Sequence, residues 1–71
     1  MKMKMNKYEL EALGNFTCDY PEGKTFEEVL ELIEAESEDV VIWEPFEYHP
    51  AGEVAEMISN MADSLKRTFK E

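Results

Sequence analysis

The chain is short of cations, cysteine, histidine and long apolar runs, and each shortage closes a class of function. Seven lysines and arginines stand against seventeen aspartates and glutamates, giving a formal charge of −10. So anionic a surface does not bind nucleic-acid phosphates directly; it attracts basic partners and keeps a protein in solution. Cys18 is the sole cysteine, which excludes an internal disulfide framework. With His49 the sole histidine, the four Cys/His ligands of a structural zinc site are missing. No apolar run approaches the roughly 20 residues of a membrane span, and "MKMKMNKYEL" lacks the apolar centre of a signal peptide. The cytoplasm is the expected compartment, and no membrane partner is expected. There is no glycine-rich phosphate loop and no EF-hand spacing, so neither a cofactor nor a metal is expected.

What remains is enough to fold. Residues 1–71 have the length of one domain, with Met1, Met3 and Met5 each a candidate start and residues 1–5 a candidate ragged leader. A 44% apolar fraction with eight aromatics is too rich for a disordered tail. A domain of this size buries only about 60% of its unfolded surface, so its stability is marginal and a partner would add to it.

Residues 8–20, "YELEALGNFTCDY", admit two readings. Tyr8, Leu10 and Ala12 alternate with Glu9, Glu11 and Leu13, and Phe16, Cys18 and Tyr20 alternate with Thr17 and Asp19. Gly14-Asn15 between two such runs signals a two-residue hairpin. Alternatively, Asn6 caps a short helix with Glu9 as its capping-box partner and Gly14 at the end. The hairpin is preferred, because seven residues make a poor helix. Next, Thr25 and Glu28 form a capping box, and Phe26, Val29, Leu30 and Ile33 fall on one helical face, with Ser37 to Asp39 ending the helix. Residues 39–50, "DVVIWEPFEYHP", alternate like a strand, and Pro45 confines it to an edge or bulge. Pro50 or Gly52 opens a last helix whose stripe is Val54, Met57, Ile58, Met61, Leu65 and Phe69. The expected fold is α+β in the order ββαβα: a small antiparallel sheet, made of an N-terminal hairpin and one edge strand, packed by two helices.

The charge has a layout. Residues 19–63 hold fourteen acids against the single base Lys24, a local charge of −13. Glu27, Glu31, Glu34 and Glu38 stand at i, i+4, i+7 and i+11, one helical stripe opposite the apolar face. Such a stripe is about 16 Å long, one charge per ~5 Å. A DNA strand carries one per ~3.4 Å, so the two densities agree within a factor of two. Glu28, Glu36, Asp39, Glu44 and Glu47 extend the patch sideways. Glu27–Glu31 and Glu34–Glu38 each destabilise a helix by a few tenths of a kcal/mol where a lysine at i+4 would stabilise it. Good helix propensity and solubility alone also account for surface glutamates. Trp43 and Phe46 are candidate anchors at an interface.

Length, acidic block and element order together resemble small acidic phage-encoded inhibitors: DNA-mimicking antirestriction and anti-CRISPR proteins and inhibitors of host polymerase. The resemblance implies a non-catalytic protein that binds the basic nucleic-acid-binding surface of a host protein. Its partner-facing residues would be Glu27, Glu28, Glu31, Glu34, Glu38, Asp39, Glu44 and Glu47, with Trp43 and Phe46. Two other readings stand beside it. In one, Val54, Ile58, Met61 and Leu65, at heptad spacing, build a homodimer and the acids only solubilise it. In the other, the chain is an antitoxin-like module capping a basic toxin. Enzyme chemistry has least support: a Cys18–His49 pair lacks an orienting motif. Asp63-Ser64-Leu65 resembles the attachment tripeptide of acyl carrier proteins, but only seven residues follow Ser64.

Overall fold

The computed structural model describes residues 4–36 and 38–69, and of Cys18 the backbone only. Three helices carry the fold: α1 (Lys7–Phe16), α2 (Phe26–Glu34) and α3 (Ala51–Thr68). Two short strands, β1 (Thr17–Asp19) and β2 (Val41–Ile42), form one antiparallel ribbon with Thr17 opposite Ile42 and Asp19 opposite Val41. A 3-10 turn, Glu44–Phe46, leads on toward α3. The expected ββαβα sheet packed by two helices is therefore corrected to three helices with a two-stranded ribbon.

The N-terminal hairpin gives way to α1 for a local reason and a packing reason. Locally, the Glu9 N–H donates to Asn6 Oδ1 at 2.8 Å and the Asn6 N–H donates to Glu9 Oε1 at 3.0 Å. This box satisfies two helix-end donors reciprocally. In packing, Ala12, Leu13 and Phe16 are buried together, a helical spacing. A hairpin would place Leu13 on the face of Glu9 and Glu11, in water. The helix runs through Gly14 to ten residues and stops where Thr17 turns extended, its hydroxyl donating to the Leu13 carbonyl at 2.9 Å.

The helix α2 keeps its expected start and loses its expected end. The Thr25 N–H donates to Glu28 Oε1 at 2.8 Å, and the Glu28 N–H donates to Thr25 Oγ1 at 3.2 Å. Phe26, Val29 and Ile33 are buried and Leu30 is half-buried. The helix closes at Ala35, and Glu36 follows in the left-handed region at φ 57°. Ser37, expected near the boundary, lies outside the described residues.

The expected strand over residues 39–50 is corrected to the two residues of β2. The Trp43 N–H donates to the Phe16 carbonyl at 2.7 Å. Pro45, which has no N–H for a ladder, sits in the first turn of the 3-10 segment. That turn seats the Phe46 ring 4.5 Å from Phe16.

The long helix α3 is the spine. It starts after Pro50, and Lys66 and Arg67 occupy its last turn, where cations complement the helix dipole. The Tyr8 hydroxyl donates to the Phe69 carbonyl at 3.0 Å, and the Asn15 amide meets the Met61 sulfur at 3.4 Å, so α1 runs antiparallel to α3. The start of α2 shares a cleft with the end of α3, and the end of α2 shares one with its start. Both shorter helices thus lie antiparallel to α3. Leu13, Val29, Val54 and Ile58 are the largest fully buried side chains. Met5, the last residue of the candidate leader, is buried in this core at 8% exposure.

The same core takes in the residues of the alternative homodimer seam. Val54 and Ile58 are 1% and 0% exposed within the single chain, and Met61 and Leu65 pack half-buried against them. The heptad spacing coincides with the packing of α1 and α2 on α3.

Candidate functional site

The acidic face of α2 is built by the segregation that buries its other side. Phe26, Val29 and Ile33 fix the helix on α3, and Glu27, Glu31 and Glu34 consequently point outward, all exposed. Among the described residues none forms an ion pair with these three carboxylates. One cation stands at the Glu27 end of the row. Lys66 borders the same shallow cleft as Glu27 and Asp63.

Glu28 differs from its neighbours. The Thr25 backbone N–H holds its carboxyl below the usual glutamate range; partial desolvation opposes this, and Lys24, the Thr25 hydroxyl and Lys4 add to it. Its negative charge belongs to the helix cap, where a carboxylate also complements the dipole.

Glu38 leaves the stripe, because α2 ends at Glu34 and Glu38 falls in the turn beyond it. The expected four-carboxylate stripe is thus three on the helix. Glu38, Asp39, Glu44 and Glu47 are all exposed; Glu44 opens the 3-10 turn and Glu47 follows it. Asp39 is engaged in a contact of its own. Trp43 is 49% exposed with its ring 5.7 Å from Phe46, whereas Phe46 is half-buried against Phe16. Trp43 therefore offers apolar surface outward, and Phe46 supports it from beneath.

Tertiary packing adds acids to this face that no linear spacing reveals. Glu34 of α2 and Glu56 of α3 border one groove, floored by Leu30 and Ala55. Glu27 and Asp63 border the cleft at the opposite end of the same helix pair. The signal was present as two amphipathic periods, but the antiparallel pairing that aligns them was not.

Other candidates are placed as follows. His49 is exposed in the turn before α3, its ring 5.9 Å from Phe46. The side chain of Cys18, the other half of the conceivable catalytic pair, lies outside the described residues. Ser64 is exposed inside α3 rather than at the opening of a helix, unlike the attachment serine of a carrier protein. Among the described residues no group of three or more His, Cys, Asp or Glu could hold a metal, and no helix is long and apolar enough to cross a membrane. No known protein family, characterised protein or solved structure matches the chain.

Proposed function

We propose that this protein is a non-catalytic acidic inhibitor, of the phage-encoded DNA-mimic kind, that docks on the basic nucleic-acid-binding surface of a host protein. The observation that carries the reading is the row Glu27, Glu31, Glu34, exposed on one short helix and in no ion pair among the described residues. Like charges at i,i+4 oppose helix formation, and a small domain has little stability to give up. The field they create is the return. Glu56 and Asp63 of α3 broaden that field across the adjoining helix, and Trp43 supplies an exposed aromatic of the kind that anchors interfaces.

Docking of this type is electrostatically steered and salt-sensitive. The test is capture on the immobilised chain from a host lysate, followed by elution with duplex DNA. The expected result is a DNA-binding protein that is retained at low salt, released by DNA, and lost near 1 M salt, where the Debye length shrinks to about 3 Å. A Glu27→Gln/Glu31→Gln/Glu34→Gln variant should fail to retain it. Retention by that variant equal to the unaltered chain overturns the reading.

A further inference from the structure

A second concavity lies where the turn before α3 folds over the end of α2, and it shares no lining residue with the α2–α3 groove. Its floor is apolar, made by Ile33, Val40, Ile42, Phe46 and Val54. Its rim is polar and carries Glu36, Glu47 and His49. Three elements and two turns converge on it. Its volume of about 280 Å³ lies just under the roughly 300–1,000 Å³ of ordinary ligand pockets.

Size and chemistry narrow the occupant. A nucleotide is too large, and its phosphates would meet two carboxylates. A bare metal ion would meet a hydrocarbon floor. The fit is one long side chain with an apolar stem and a cationic head. Between the two natural choices, a guanidinium is flat, weakly hydrated and able to engage carboxylates through paired hydrogen bonds, and it stacks on aromatic rings. Phe46 and His49 stand 5.9 Å apart at this pocket with their planes tilted by 46°, and the two carboxylates belong to different turns. One of them is on Glu36, whose left-handed φ of 57° is a conformation that glycine would adopt without strain.

We propose that this pocket receives a single arginine side chain from the basic partner, its stem over the half-buried Ile42 and Phe46 and its guanidinium between Glu36 and Glu47. The inference rests on the docking reading for the source of the arginine, and on the pocket alone for its recognition. The probe is therefore a small one: N-acetyl-arginine N-methylamide, titrated into the isotopically labelled full chain and followed by amide chemical shifts. The lysine and citrulline counterparts serve as controls, the latter an uncharged near-isostere. Saturable shifts centred on Ile33, Ile42, Phe46 and Val54 are expected. Arginine should bind about tenfold or more tightly than citrulline, the scale of one charge-assisted pairing. Glu36→Gln with Glu47→Gln, both at exposed positions that leave the core intact, should remove that advantage and leave the citrulline response unchanged. Equal binding of citrulline or lysine, shifts confined to Glu27, Glu31 and Glu34, or no saturable shift at the floor residues would each overturn the proposal. Arginine binding without a DNA-displaceable partner would leave the pocket standing and remove the docking reading; the reverse outcome would remove the pocket alone.

Discussion

Leu13 is fully buried, two positions after the exposed Glu11 and one before the exposed Gly14. Its side chain meets the core only because residues 7–16 turn helically. Leu13→Ala should therefore destabilise the chain by about 2–5 kcal/mol in urea unfolding, the range for a core leucine. A loss under about 0.5 kcal/mol, ordinary for a surface change, would contradict the placement. Glu28 makes a different kind of prediction. Its carboxyl is held below the usual glutamate range chiefly by the Thr25 N–H. A group with a depressed folded-state pKa lends stability that is present above its unfolded pKa, about 4.3, and is lost as pH falls through the folded value. The stability difference between the unaltered chain and Glu28→Gln should thus be present at neutral pH and fade as the solution is acidified below about pH 4. A difference that is flat over that window would mean that the cap does not depend on the charge.

At the scale of elements, caps were the most legible feature and alternation the least. The Thr25–Glu28 box and the apolar period Phe26, Val29, Ile33 mark α2 in the sequence, and Pro50 marks the entry to α3. The Asn6–Glu9 box was equally visible, yet Gly14-Asn15 between two alternating runs outweighed it. Burial decided between them, because only the helix places Leu13 with Ala12 and Phe16 inside. The strand over residues 39–50 failed at Pro45, whose turn brings Phe46 onto Phe16. The acidic row was legible as far as Glu34. Its fourth member was not, because nothing local announces the left-handed turn at Glu36. This row makes α2 weaker than it could be. Glu31→Lys would turn the repulsive pair with Glu27 into a favourable Glu→Lys pair at i,i+4 and add a second with Glu34 at i+3. Together these should stabilise the chain by up to about 1 kcal/mol and raise its melting midpoint by roughly 4–8 °C. Partner retention should fall in the same variant. A lowered midpoint would show that the glutamates are not repelling one another as described.

At the scale of the molecule, α3 serves as a shared floor for α1 and α2, and the charge distribution follows from that arrangement. Packing α2 antiparallel on α3 brings Glu34 alongside Glu56 and sets Glu27 with Asp63 near Lys66. The cationic residues Lys66 and Arg67 sit in the last turn of α3, and Lys66 borders the cleft at the start of α2, away from Glu34 and Glu56. None of this could be read from spacing along the chain, since it depends on which helices touch and in which direction. The most direct test is the association rate between the chain and its captured partner, measured at low and at high salt for the unaltered protein and for Glu27→Gln/Glu31→Gln/Glu34→Gln. The unaltered chain should associate at least about tenfold faster at low salt than at high salt, and the variant should be slow in both. Equal rates for the two proteins at low salt would contradict the claim that the exposed row on α2 guides docking.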